Sequence, residues 1–150
     1  MALFCDLDGV LVDFDRGIKE LTGSYSNDLT PNEMWPLVAK ANSFFTNLPW
    51  MNDGEYLWLN ITTYNPTILT GIPYGGWAGQ QKRDWCATNL GEDISVIPCW
   101  SREKPLYGIK GDILIDDQIK AKDGWEEMGG IFIHHTSAEE TLDDLEFVLG

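Results

Sequence analysis

Short apolar runs alternate with segments of helical periodicity along the chain, and this alternation most constrains how it can fold. The apolar runs are Ala2 to Cys5, Pro66 to Thr70, Ile94 to Ile97, Asp112 to Ile115 and Gly130 to Ile133. The segments between them space their apolar residues as amphipathic helices do. This order predicts a three-layer, Rossmann-like α/β fold with a parallel sheet, in which ligands bind at the carboxyl ends of the strands.

Two carboxylates, Asp6 and Asp8, follow the first apolar run, and Gly9 comes directly after them. Residues two apart in a strand point to the same side, so these carboxylates repel each other unless the backbone turns or a cation lies between them. Gly9 permits the turn, and magnesium would supply the positive charge. Taken alone, the pattern fits an acidic surface turn equally well.

Polar groups suited to phosphate chemistry also follow three of the later runs. They are Thr70 with Gly71, Lys104, and Asp116 with Asp117. All fall at or just after a predicted strand end, so they are expected to converge on one edge of the sheet.

Each group would have a role in phosphoryl transfer. Asp6 is the candidate nucleophile and Asp8 the candidate general acid and base. Thr70 and the backbone N–H of Gly71 would hold a phosphoryl oxygen, and Lys104 would neutralise charge. Lys82 and Lys110 are rivals for the lysine's role.

Magnesium would be held by oxygen ligands at the same edge. The candidate ligands are the carboxylates of Asp6, Asp116 and Asp117 and the carbonyl oxygen of Asp8. For each acid, ordinary surface charge is the alternative explanation.

A segment rich in aromatic residues and interrupted by proline breaks the alternation between the first and second predicted strands. This pattern indicates a small helical insertion over residues 27–64. Residues 1–26 and 65–150 would then form the core.

The acidic balance limits the classes of partner. The chain has 10 basic and 24 acidic residues, a net charge of −14, which repels polymeric nucleic acid and anionic membranes. No apolar run reaches membrane-spanning length, and no targeting segment is visible.

The odd cysteine count without metal-ligand spacing indicates reduced thiols, so we expect a cytoplasmic protein. The sequence leaves the oligomeric state open, with a homodimer as one candidate.

Together the four motifs resemble those of the haloacid dehalogenase (HAD) superfamily of phosphotransferases. The resemblance implies that Asp6 is a nucleophile, that Asp8 is the acid and base, and that the insertion is a cap over the active site. Asp at position 8 favours phosphate chemistry over dehalogenation, because only an ester's leaving oxygen needs a proton.

Outside these motifs, the sequence is similar to the 5′(3′)-deoxyribonucleotidases of cytosolic type C. The similar stretches are Asn42 to Pro49, Gln81 to Trp85, Ser101 to Lys104 and Ile113 to Asp117. A cap aromatic, Phe44 or Phe45, could stack on a nucleobase, and Arg102 and Lys82 could hold phosphate. Cap core is the alternative role for both phenylalanines.

The resulting expectation is a magnesium-dependent phosphomonoesterase acting on (deoxy)nucleoside monophosphates through a phospho-aspartate. One alternative is a phosphatase for another small phosphometabolite, such as a sugar phosphate. Another is a non-enzymatic module that binds magnesium or accepts a phosphoryl group.

Overall fold

A computed structural model describes all 150 residues and contains a sheet of five strands with six α-helices. The strands are β1 (Leu3–Cys5), β2 (Thr67–Gly71), β3 (Val96–Cys99), β4 (Ile113–Asp116) and β5 (Ile131–His134). The helices are α1 (Phe14–Thr22), α2 (Pro31–Lys40), α3 (Gly54–Ile61), α4 (Trp77–Asn89), α5 (Lys122–Glu127) and α6 (Ala138–Leu149).

The sheet has the order β3-β2-β1-β4-β5, and every neighbouring pair is parallel. Cys5 of β1 pairs with Ile68 on one side and with Ile115 on the other. The chain therefore builds outward from β1 in both directions, which makes the carboxyl end of β1 the topological switch point of the sheet. The predicted parallel α/β fold is confirmed.

Alternate residues of the strands are buried on opposite faces, as the period of two requires. Cys5 lies in the larger core cluster, on the face covered by α3, α4 and α6. Phe4 lies in a smaller cluster on the other face, where it packs against Trp125 of α5. The fold therefore has three layers, with the sheet between helices on its two faces.

Helix α3 belongs to the larger core cluster, where it buries Leu57, Trp58 and Ile61. It packs against α6, and the Asp53 carboxylate before α3 accepts a hydrogen bond of 2.7 Å from the backbone N–H of Ala138. The family resemblance implied a cap position for the segment over residues 27–64, and within it α3 packs as a crossover helix between β1 and β2. The division into residues 1–26, 27–64 and 65–150 stays a prediction.

The rest of the insertion packs mainly through aromatic side chains. Thr30 forms a capping box with Glu33 at the start of α2, as Thr-Pro before an acidic residue favours. Phe44 and Phe45 are buried in the larger cluster, and the indole N–H of Trp85 donates to the carbonyl oxygen of Leu48. These contacts fix the insertion against α4.

The cysteines Cys5, Cys86 and Cys99 are all free and buried. None of the helices combines the length and apolar character needed to cross a membrane.

Replacing Trp125 by alanine should destabilise the fold, because its indole is fully buried and its N–H donates to the Asp112 carbonyl oxygen at 3.1 Å. We expect a loss of about 3 to 5 kcal/mol in the free energy of unfolding, measured by urea titration. Phe147→Ala is the matched control, since Phe147 is 88% exposed, and should change that free energy by less than about 0.5 kcal/mol. Equal losses in the two variants would contradict the assigned core.

Candidate active site

A cavity of about 1080 Å³ opens at the carboxyl ends of the central strands. The acidic and basic residues that the sequence singled out at strand ends line it, namely Asp6, Asp8, Lys104, Asp116 and Asp117. Gly71 also lines the cavity, whereas Thr70 lies directly behind it with no exposed surface. The expected convergence therefore occurs, at the switch point of the sheet.

Lys104 lies between two acids, Asp6, which follows β1, and Asp116, which ends β4. Its ammonium lies 3.1 Å from Asp6 Oδ1 and 2.8 Å from Asp116 Oδ2, and all three side chains are buried. Burial alone would lower the pKa of Lys104, but the Asp6 and Asp116 carboxylates outweigh burial and raise it. Lys104 is therefore a fixed positive charge beside Asp6.

Asp6 is buried, whereas Asp8 is half-buried with one oxygen, Oδ1, closed off from solvent. Burial raises the pKa of Asp6 although Lys104 opposes the shift, and burial raises the pKa of Asp8 although Lys82 opposes it. Oδ1 of Asp8 is buried and has no hydrogen-bond partner within the chain. An acid with a raised pKa and one free oxygen can carry a proton to a bound ligand.

Lys82 lies on α4 and is 1% exposed. Its ammonium donates to Asp8 Oδ2 at 2.7 Å, to Thr70 Oγ1 at 3.0 Å and to the Gly71 carbonyl oxygen at 2.7 Å. The Phe45 ring covers it, with its centroid 4.7 Å from Nζ.

An ammonium has three protons, and the chain provides three acceptors for those of Lys82. The sequence predicted that Lys82 holds phosphate. Lys82 does line the cavity, but all three of its donors are used by acceptors of Asp8, Thr70 and Gly71.

The chain turns at Gly9, directly after Asp8. Its φ is +83°, in the left-handed region, and a Cβ there would overlap Asp117 Oδ2. Only glycine lets the turn lie against Asp117, so the first motif and the end of β4 pack directly together.

Carboxylate oxygens of Asp6, Asp116 and Asp117 lie within 4.8 Å of one another. Asp117 Oδ1 is buried without a partner. Burial, followed by the nearby Asp6 and Asp116 carboxylates, raises the pKa of Asp117 to about 7. Crowded oxygens with an unpartnered atom are the donor set that a hard divalent cation takes.

The charges of the site agree with a cation-binding role. The ion pairs at the site join Lys82 and Lys104 to Asp6, Asp8 and Asp116, so with Asp117 included this ionised cluster carries 2 − 4 = −2. One divalent cation would cancel that charge. The residues therefore fit magnesium, with the carboxylates of Asp6, Asp116 and Asp117 as candidate ligands.

The predicted substrate residues fall into two groups. Gly71, Lys82, Arg102 and Phe45 line the cavity, and the Arg102 guanidinium lies 4.5 Å from the centroid of the Trp100 ring. Phe44 does not line it, because its ring packs edge-to-face against Phe45 in the core. The predicted stacking of Phe44 on a base therefore does not fit this structure, and the alternative role as cap core describes it.

Several cavity residues were given no role from the sequence. They are Ser101, Tyr74, Trp77 and Trp100. Trp100 and Ser101 follow β3 directly, so their position at a strand's carboxyl end was the signal that could have found them. Tyr74 and Trp77 lie in the turn after β2 and at the start of α4, where the sequence pattern gives no direction for a side chain.

Comparison of the sequence with protein-family models and with curated proteins gives no match. Solved structures do match. A HAD-superfamily hydrolase from Ehrlichia chaffeensis is 17% identical with a TM-score of 0.57, over 99% of this chain and 95% of that one. A hydrolase from Streptococcus pneumoniae TIGR4 is 12% identical with a TM-score of 0.55, over 99% and 97%.

A third match is a HAD family hydrolase from Deinococcus radiodurans R1 with bound phosphate and sodium. It is 14% identical with a TM-score of 0.54, over 87% of this chain and 78% of that one. At these identities the likeness establishes the fold. The chain has the α/β fold of HAD-superfamily hydrolases, with its acidic cluster at the switch point of the sheet.

Proposed function

We propose that this protein is a magnesium-dependent phosphomonoesterase that hydrolyses (deoxy)nucleoside monophosphates through a phospho-aspartate on Asp6. The observation that carries the proposal is the shared cavity of Asp6, Asp8 and Lys104, with Thr70 directly behind it. Nucleophile, acid and positive charge thus lie together. The hydrolase names of the structural neighbours, one of which holds phosphate, agree with this chemistry.

In the first step, a carboxylate oxygen of Asp6 attacks phosphorus, and the bond between phosphorus and the ester oxygen breaks. The leaving oxygen takes a proton from Asp8, whose Oδ1 has no partner within the chain. Lys104 stays charged beside Asp6 and neutralises the transferring group. Bound magnesium would add positive charge for the phosphoryl oxygens.

In the second step, Asp8 is ionised and takes a proton from water. The water oxygen attacks phosphorus, the bond from Asp6 to phosphorus breaks, and phosphate leaves. Asp8 is then protonated again for the next cycle.

Lys82 positions two of these groups, because its three hydrogen bonds all go to acceptors within the protein. Its bond to Asp8 Oδ2 leaves Oδ1 as the oxygen without a partner within the chain. Its bond to Thr70 Oγ1 uses a lone pair of that buried hydroxyl, so this bond does not use the hydroxyl proton. Lys82 is thus a positioning residue in this mechanism.

The cavity supports a substrate of nucleotide size. Its volume of about 1080 Å³ is ample for a nucleoside monophosphate, and its walls include Phe14, Trp35, Phe45, Trp77 and Trp100. Aromatic walls beside a phosphate site suit a planar base. The buried, free cysteines fit a reducing compartment, and we propose a cytoplasmic location.

Asp6→Asn should abolish phosphate release, because an amide cannot serve as the nucleophile. The measurement is magnesium-dependent release of phosphate from a panel of deoxy- and ribonucleoside monophosphates and sugar phosphates. Asp143→Asn, in an exposed position of α6, is the matched control and should keep wild-type rates. Normal turnover by Asp6→Asn would refute the mechanism, and release from sugar phosphates alone would refute the nucleotide assignment.

Lys82→Met should lower kcat by about tenfold to a hundredfold, because Thr70 and Asp8 lose the hydrogen bonds that direct them. KM should change less, since the three donors of Lys82 are used by protein acceptors and not by a ligand. Lys122→Met, at an exposed position, is the control. A change in KM alone would contradict the positioning role and favour direct phosphate binding.

The stability of the metal-free protein should respond to the protonation of Asp117. Its pKa is about 7 in the fold, against about 3.9 in an unfolded chain, so the folded state binds more protons between these values. The contribution of Asp117 to the free energy of unfolding is therefore lost as pH rises through this window. Magnesium replaces the proton, so it should raise Tm more at about pH 8 than at about pH 5.

Asp117→Asn keeps the size of the side chain and removes its titration. This variant should lose less Tm than the wild type between about pH 5 and about pH 8, and it should gain less from magnesium. Asp143→Asn is again the control. Identical pH profiles for wild type and Asp117→Asn would show that another group titrates.

A further inference from the structure

Gly71 and Ser101 lie side by side where β2 and β3 end. A Cβ built on Gly71 would overlap Ser101 Oγ and would lie 3.3 Å from Ser101 Cβ. Gly71 is not among the residues with positive φ. A side chain at Gly71 would therefore force the Ser101 hydroxyl to move, whereas the backbone conformation does not call for glycine.

The Ser101 hydroxyl has no structural task within the chain. It has no hydrogen-bond partner in the protein, and the short helical segment Ser101–Tyr107 begins without a side-chain cap. Ser101 lines the cavity together with Gly71, Asp6 and Lys104. A free hydroxyl beside the proposed position of the phosphoryl group is able to donate to one of its oxygens.

The two buried lysines near this point already use donors within the chain. Lys82 bonds the carbonyl oxygen of Gly71 and the hydroxyl oxygen of Thr70, and Lys104 bonds Asp6 and Asp116. The Ser101 hydroxyl is thus a neutral donor at the same edge that remains available to a ligand.

We propose that Ser101 Oγ donates a hydrogen bond to an oxygen of the transferring phosphoryl group, and that Gly71 lacks a side chain to make room for this hydroxyl. This assignment rests on the proposed phosphatase function. Ser101 would share the charge on the phosphoryl oxygens with Thr70. The phosphate cradle then draws its hydroxyls from two neighbouring strand ends.

Ser101→Ala should reduce kcat/KM for phosphate release by about tenfold to a hundredfold and weaken inhibition by inorganic phosphate. Because Ser101 is exposed, Tm should be unchanged. Ser101→Thr keeps the hydroxyl and should retain most of the activity. Equal activity in wild type and Ser101→Ala would overturn the assignment.

An exchange of side chains tests the spatial part of the proposal. Gly71→Ser alone should lose activity, because its Cβ overlaps the Ser101 hydroxyl. Gly71→Ser with Ser101→Gly restores one hydroxyl in the same region and should be more active than Ser101→Gly alone. Gly71→Ala with Ser101→Gly is the matched control; it fills the space without a hydroxyl and should show no recovery.

Thermal melting first establishes that both double variants are folded. If they are then equally active, the spatial part of the proposal is refuted. If the exchange variant does not fold, the comparison of Ser101→Ala with Ser101→Thr decides the role of the hydroxyl. A wild-type protein that neither releases phosphate from any substrate nor binds inorganic phosphate would overturn the proposed function and the assignment of Ser101 together. An active wild type with an unimpaired Ser101→Ala overturns only the assignment.

Discussion

The pairing of buried carboxylates with buried lysines is the interaction on which the active end of this molecule depends. Lys104 lies between Asp6 and Asp116, and Lys82 bonds Asp8. Charges this deeply buried are costly unless they are paired, and removing one partner leaves the other uncompensated. The two lysines therefore hold these acids together, and the remaining charge of the ionised site, 2 − 4 = −2 with Asp117 included, leaves room for a divalent cation.

The topology of the sheet explains why these groups meet. Because β1 has β2 on one side and β4 on the other, the side chains after its end lie between Thr70 and Asp116. Crossover connections on opposite faces of the sheet leave the carboxyl end of β1 uncovered. The position of the cavity is thus a consequence of strand order. The acidic motif lies in the cavity because it directly follows β1.

Features set by local sequence could be predicted, and features set by packing could not. Asp6, Lys104 and Asp116 follow strand ends, so chain order and parallel pairing were enough to bring them together. The orientation of Lys82 was not predictable, because it depends on how α4 is rotated against the sheet and on the acceptors that this rotation presents. The core packing of α3 against α6 likewise follows from tertiary contacts, since its helical pattern alone fits a cap equally well.

Phe45 shows how the insertion contributes to the site even though Phe44 lies outside the cavity. Its backbone N–H donates to Gln81 Oε1 at 2.9 Å, and its ring lies over the ammonium of Lys82. By covering Lys82, the ring keeps water from its hydrogen bonds, and a charged hydrogen bond is stronger where the local dielectric is low. The aromatic residues of the insertion therefore act on the reaction through Lys82, by fixing Asp8 and Thr70, and this role is independent of which base the substrate carries.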